Sequence, residues 1–351
     1  MFIEMIRKKT PKIVPAIVSL LIIAAGGVAG YGWYILKSPN IITNNGEKKY
    51  IYIYDNDDFE DLIRAIEKEA DIKNSRSFRK TAALLKYTNI RSGRYEINGR
   101  TSNFDLIRKL RSGNQTPVRL TFNNIRTKQQ LAGRLAQQIM IDSLDILYYL
   151  ENDDFLAEYN LKPETAVIIF IPNTYEVFWN ISGKDLFDRM YREYNRFWTE
   201  DRRKKADEIP LSLEQVSILA SIVEEETKKE YEYPTVAGVY INRLKKGMRL
   251  EADPTVKFAN GDFALKRVLH RHLAIDSPYN TYMYGGLPPG PIRIPSPQVI
   301  DGVLNCEQHN YIFMVAKETL NGEHHFSTTN AEHERHARKY RQALNELGIF
   351  R

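Results

Sequence analysis

Residues 13–36 (IVPAIVSLLIIAAGGVAGYGWYIL) carry no charged side chain over 24 consecutive positions. As a helix such a run spans about 36 Å at roughly 1.5 Å per residue, enough to cross a bilayer. Arg7, Lys8, Lys9 and Lys12 come just before it, and Tyr31, Trp33 and Tyr34 form an aromatic belt at its far end. By the positive-inside rule this predicts a cytoplasmic N-terminus, with everything after Lys37 outside. The competing reading is a cleaved signal peptide, with small residues around Ala29 and Gly30 as the cleavage site. The apolar run is longer than the about 7 to 15 residues of a signal h-region, so an uncleaved anchor is expected. No cysteine directly follows it, which excludes a lipoprotein anchor.

The chain has 351 residues, enough for two domains at roughly 150 residues each. With 43% hydrophobic and 27% charged residues it falls in the ordinary globular range, so disorder is not expected. The net charge of +6 is partly N-terminal and otherwise scattered, which argues against a nucleic-acid partner. A single cysteine, Cys306, supports neither an internal disulfide nor a CxxC metal site, leaving packing to hold the fold.

The predicted class is α+β. A cytoplasmic tail (1–12), a transmembrane helix (13–36) and a polar linker (37–49, with Pro39 and Asn45-Gly46) precede a small α+β domain (50–113) and a larger mixed domain (114–351). In the small domain, residues 50–54 (YIYIY) and 93–97 (GRYEI) read as strands, and 57–70, 77–87 and 102–110 as helices. In the larger one, 118–122 reads as a strand, 128–139, 144–150 and 154–159 as helices, and 167–171 as a buried aliphatic run. Residues 184–200, 213–229, 234–244 and 331–347 are predicted helical, and strands at 311–315 and 325–327 flank an Asn321-Gly322 turn.

The helix from 213 carries the chemically interesting feature, SIVEEETKKE at 221–230. Ser212 and Gln215 form an S-x-x-Q capping box, which fixes the register. Counting about 100° per residue from Val216, the aliphatic stripe centres near 280°; Glu224 falls near 80°, Glu225 near 180° and Glu226 near 280°. Glu226 alone lies on the apolar stripe, where desolvation should raise its pKa and keep it protonated, as a general acid requires. The bland reading is a helix-end glutamate curling to solvent or pairing with Arg243 or Lys229. Glu224 and Glu225 are expected to be ordinary solvated charges.

Ala220-Ser221-Ile222-Val223-Glu224-Glu225-Glu226-Thr227, Val239-Tyr240-Ile241-Asn242-Arg243-Leu244, Gly247-Met248-Arg249-Leu250, Asp253-Pro254-Thr255-Val256, Tyr279-Asn280-Thr281-Tyr282 and Gly286-Leu287-Pro288-Pro289-Gly290-Pro291-Ile292 together resemble the endolytic murein transglycosylases of the MltG type. The resemblance extends to the anchor, to a LysM-like unit in the position of the small domain, and to His324-x-Phe326-Ser327 and Glu332-His333. It implies cleavage of the β-1,4 bond between N-acetylmuramic acid and N-acetylglucosamine inside nascent peptidoglycan strands, without water. Glu226, matching the second glutamate of the family's E-x-E-T motif, would protonate the leaving oxygen and then take the proton of the muramoyl 6-hydroxyl, leaving a 1,6-anhydro end. The substrate supplies its own nucleophile, so the second carboxylate that hydrolytic glycosidases use is not required. The implied setting is the bacterial inner membrane, with peptidoglycan synthases (penicillin-binding proteins) as partners and no cofactor.

Asn280, Thr281, Tyr282, Asp253, Thr255 and Ser327 are the expected substrate-binding residues, with Asp253 placed in a loop before Pro254, either as a turn-former or as a charge facing a developing oxocarbenium ion. Residues 285–297 (GGLPPGPIRIPSP) read equally as a rigid groove wall or a stiff connection. The family's Pro-Asp-Thr-Tyr is Pro172-Asn173-Thr174-Tyr175 here, which keeps hydrogen bonding but not charge. His324, His325, His333 and His336 suggest a metal site only weakly, because no ligand motif accompanies them, and none is expected. The remaining alternative is a non-catalytic wall-binding scaffold, which the presence of the acid argues against.

Overall fold

The computed structural model describes residues 13–265 and 268–348. The tail and its basic residues Arg7, Lys8, Lys9 and Lys12 lie outside the described residues. Two compact units emerge, Met1–Val118 with Val177–Asn180, and Arg119–Glu176 with Ile181–Arg351.

The first unit runs α1 (Ile13–Lys37), β1 (Pro39–Ile42), β2 (Lys49–Ile53), α2 (Phe59–Glu69), β3 (Asp71–Ile72), α3 (Ser75–Leu84), β4 (Gly93–Ile97), β5 (Arg100–Ser102) and α4 (Asn103–Ser112). Helix α1 is long and apolar enough to cross a membrane: Ala16–Lys37 has a mean hydropathy of 1.8, and 0% of its apolar window is buried by protein. The expected linker at 37–49 does not stay outside the fold. β1 pairs antiparallel with β3 and β5, and Ile41 is fully buried in the core. Its polar composition misleads because Asn40 is itself buried, its amide bonded to the Asn74 carbonyl (3.0 Å) and Asn103 Oδ1 (2.8 Å).

β2 and β4 form a second antiparallel pair, their inward side chains Ile51, Ile53, Tyr95 and Ile97 meeting Leu62, Ile63 and Ile66 of α2. A capping box between Asp58 and Asp61 starts α2. The unit also recruits Trp179, which meets Tyr52 and Tyr54 edge-on at 4.9 and 5.0 Å between ring centroids.

The second unit runs β6 (Val118–Phe122), α5 (Lys128–Ala136), α6 (Ser143–Glu151), α7 (Asp153–Ala157), β7 (Asn173–Val177), α8 (Gly183–Phe197), α9 (Glu200–Asp207), α10 (Leu213–Glu226), α11 (Tyr233–Lys245), α12 (Asp253–Asn260), α13 (His270–Leu273), α14 (Pro297–Leu304), β8 (Phe313–Ala316), β9 (His324–Ser327) and α15 (Asn330–Glu346). β6 pairs with β7, and β8 with β9 in an antiparallel hairpin that sets Ala316 opposite His324. The helix expected over 184–200 stops at Phe197, and α9 starts afresh where Thr199 Oγ1 accepts from Arg202 N. α12 and α14 were not expected, although each opens with proline in its first turn, where a missing N–H costs nothing.

Candidate active site

The Ser212–Gln215 capping box forms as expected: Ser212 Oγ accepts from Gln215 N at 3.2 Å and Gln215 Oε1 from Ser212 N at 3.0 Å. Beyond the cap, every residue of α10 from Val216 to Val223 is buried, Ser217 and Ser221 included. Packing by α9, α11, α12 and α14 therefore encloses the helix on more than its aliphatic stripe. Ser221 Oγ accepts from Ile292 N at 3.0 Å, which docks residues 290–295 along the side that the helical wheel marks as polar. Gly290 is required in that segment, because a Cβ there would collide with the Glu164 carbonyl.

This enclosure corrects the expectation for two of the three glutamates. The side chains of Glu224 and Glu225 are only 12% and 16% exposed, and both face the buried Arg293. Arg293 Nη1 donates to Glu225 Oε1 at 2.7 Å and its Nε lies 3.4 Å from Glu224 Oε2. Arg126 grips both oxygens of Glu225 at 3.0 and 2.9 Å, while Ser296 N donates to Glu224 Oε2 at 3.0 Å. Burial alone would push the Glu225 carboxyl up, but the Arg126 hydrogen bond and the two guanidinium charges hold it below its usual range. The 285–297 stretch is thus the clamp on α10, and it does not line the cleft beside Glu226.

Glu226 behaves differently. α10 ends with it, because Thr227 turns to extended backbone (φ −131°) and spends its hydroxyl on Lys229 N and Glu232. Tyr240 Oη from α11 donates to Glu226 Oε1 at 2.7 Å. Burial pushes the Glu226 carboxyl up to about 7, with the charge of Asp253 adding to the rise and the Tyr240 hydrogen bond and Lys257 opposing it. Arg243, one proposed partner, is occupied instead by Glu251 and by the carbonyls of Arg249 (2.9 Å) and Ile312 (3.2 Å).

Glu226 lines a cleft of about 420 Å³ with Tyr240, Asp253, Tyr282, Phe313 and His324 among its neighbours, a volume in the range of small-ligand sites. Removing the opposing hydrogen bond gives a direct test. Tyr240→Phe should move the Glu226 ionisation to still higher pH, read as an upward shift of its carboxyl titration by NMR; an unmoved titration would show that Tyr240 does not govern Glu226.

Of the other expected site residues, Asp253 and Tyr282 reach the cleft. Asp253 is the first residue of α12 and not a loop residue, and its Oδ1 accepts from Tyr282 Oη at 2.7 Å. Asn280, Thr281, Thr255 and Ser327 are buried and line no wall of this cleft. Asn280 Nδ2 donates to the carbonyls of Leu273 and Ile275, both at 2.9 Å, and its Oδ1 accepts from Tyr282 N at 3.1 Å. Thr255 and Thr281 share a 2.8 Å hydroxyl contact, and Ala252 N donates to Thr281 Oγ1 at 3.0 Å. These three residues tie the start of α12 to the Tyr282 loop, and so place Asp253 and Tyr282 without touching the cleft themselves. Asn173 is exposed at the start of β7, its Oδ1 accepting from Thr174 N at 2.7 Å.

The four histidines have local partners: His324 meets Glu232, His325 meets Glu318 at 2.7 Å, His333 stacks on Phe313, and His336 on His325. Among the described residues no three His, Cys, Asp or Glu side chains converge as metal ligands.

Residues 51–339 match the YceG-like family. The chain belongs to that family. It is 29% identical over 304 residues to the endolytic murein transglycosylase of Bacillus subtilis (strain 168), covering 81% of this chain and 82% of the relative. It is 25% identical to the protein of the same name from Streptococcus pneumoniae serotype 2 (strain D39), over 93% of this chain but only 65% of that longer relative. Among solved structures, the crystal structure of a yceG-like protein from Listeria monocytogenes superposes with a TM-score of 0.54 at 26% identity, over 83% of this chain and 99% of that one. The YceG-like match spans residues of both units, so the family likeness is not confined to the Glu226 cleft.

Proposed function

We propose that this chain is an endolytic lytic transglycosylase acting on peptidoglycan, anchored in the bacterial inner membrane by α1 with its N-terminus cytoplasmic and its folded units outside. The observation that carries the reading is Glu226: a carboxyl that burial pushes up to about 7, at the wall of a cleft, in the stretch whose sequence resembles the family's E-x-E-T motif. Near neutral pH such a group is part protonated and part ionised, so one residue can donate a proton and afterwards accept one. Glu226 protonates the oxygen of the MurNAc-β-1,4-GlcNAc bond as it breaks. The carboxylate then takes the proton of the muramoyl 6-hydroxyl as that oxygen bonds to the anomeric carbon, closing a 1,6-anhydro ring with no net uptake of protons or water.

Asp253, aligned by Tyr282, supplies a negative charge to the same cleft and suits the developing oxocarbenium ion. The first unit is read as LysM-like, and peptidoglycan synthases as the partners that deliver nascent strands. Incubation of the purified protein with uncrosslinked peptidoglycan, followed by mass spectrometry, tests the reaction. New chain ends lacking one water relative to hydrolytic ends are expected; reducing ends would make it a hydrolase, and no cleavage would leave the scaffold reading.

A further inference from the structure

The cleft contains a second polar group for which the reaction above has no role, and its surroundings fix both its orientation and its tautomer. Glu232, just before α11, is buried, with 6% of its side chain exposed. Its carboxylate accepts three hydrogen bonds: from Thr227 Oγ1 at 2.8 Å, from the His324 backbone N at 2.8 Å, and on the His324 ring at Nδ1 at 2.9 Å. A carboxylate is an acceptor, so His324 Nδ1 carries the proton and donates it. In that Nδ1–H tautomer Nε2 is the acceptor nitrogen.

His324 lines the same cleft as Glu226 and keeps 13% of its side chain exposed. Among the described residues Nε2 has no hydrogen-bond partner, and it is not one of the sealed, orphaned polar atoms of the molecule. The antiparallel pairing of His324 with Ala316 fixes the backbone beneath the ring, and Phe326 packs beside it with ring centroids 6.4 Å apart. Thr227, the first link of the chain, directly follows Glu226, so the turn that ends the acid's helix also helps to aim the imidazole.

We propose that His324 is a substrate-contacting residue of this site, its Nε2 accepting a hydrogen bond from a sugar hydroxyl, and that Glu232 is the positioning residue that sets its tautomer and angle. The assignment rests on the transglycosylase reading, and it extends the acceptor set of the cleft beyond its carboxylates. The general form, an imidazole whose ring orientation and proton are fixed by a buried carboxylate, is the arrangement that makes one histidine nitrogen a directed acceptor.

His324→Asn separates this role from a structural one, because the asparagine amide can still donate to Glu232 but presents nothing at the Nε2 position. With peptidoglycan strands as substrate and release of anhydro ends as readout, His324→Asn is expected to lower kcat/KM by about 10- to 100-fold at an unchanged Tm. Added imidazole should restore part of the activity of His324→Ala. Glu232→Gln should lose a similar factor, and the Glu232→Gln/His324→Asn double variant little more than either single one, since the two act as a unit. Wild-type protein and Glu226→Gln run alongside. If the wild type releases anhydro ends and Glu226→Gln does not, but His324→Asn keeps activity within twofold of wild type, the assignment falls while the transglycosylase reading stands. If the wild type itself releases none, it is that reading that fails.

Discussion

Glu226→Gln lowers the release of anhydro-muropeptides by about 10³-fold or more and leaves the fold intact, if the single carboxyl carries both proton transfers. Glutamine keeps the shape of the side chain and can still accept from Tyr240 Oη, so loss of activity cannot be blamed on a collapsed cleft. Stability offers an independent reading of the same residue. Burial holds the folded-state carboxyl at about 7, above its ordinary 4.5, so the native state binds this proton more tightly than the unfolded chain does.

That stabilisation is complete below about pH 4.5 and is lost as pH rises through about 7. The glutamine variant has no proton to lose. It should therefore match the wild type at pH 4 and exceed it at pH 8 by at most about 3 kcal/mol, the upper limit set by a shift of this size for a side chain that keeps some exposure. Thermal melts at the two pH values check this. Retained activity would remove Glu226 from the chemistry, and identical melts at pH 8 would show that its carboxyl is not desolvated.

The place of Glu226 on α10 was legible in the sequence because it depends on local information. The Ser212 cap sets the register, and 14 residues later that register still holds. What the wheel could not show was how α10 is surrounded. Glu224 and Glu225 look solvated when the helix is taken alone, but their partner Arg293 is 68 residues downstream of Glu225, and Arg126 is 99 residues upstream of it. Ion pairs of that separation leave no periodic trace.

The same blindness put Asn280, Thr281 and Thr255 at the cleft. Amides and hydroxyls suit sugars and buried backbone equally well, and only the fold shows that Asn280 donates to the carbonyls of Leu273 and Ile275. By contrast, the starts of α12 and α14 were written in Asp253-Pro254 and Ser296-Pro297, where proline in the first turn marks a helix N-terminus. Reading Asp253-Pro254 as a turn passed over that signal. The strand at Pro39–Ile42 was hidden for another reason: four residues are too few for alternation to show against a polar background.

Replacing Arg293 should produce the largest loss of stability in the second unit. In Arg293→Met the apolar stem of the side chain is retained between Ile292 and Ile294, both buried, but Glu224 and Glu225 lose the guanidinium that faces them from the clamp. Breaking a buried pair from one side costs about 3 to 5 kcal/mol, because the remaining charge stays desolvated. At roughly 2 to 4 °C per kcal/mol for a unit of this size, the melting temperature should fall by about 10 °C. The sign of the pH dependence is opposite to that at Glu226.

The Glu225 carboxyl is held below its ordinary 4.5, so its contribution is present above that value and lost as pH falls through the lower, folded-state one. The deficit of Arg293→Met is therefore expected in full at pH 7 and should shrink as the carboxylates protonate in acid. A deficit of equal size at pH 7 and in acid would mean that Arg293 acts through packing alone. Glu225 keeps Arg126, so adding Glu224→Gln to the variant removes the charge left without a guanidinium, and it should recover part of the loss instead of deepening it. Two neighbouring carboxylates on one helix turn, one stabilising the fold when ionised and the other when protonated, would then be distinguished by melts alone, without any assay of the reaction.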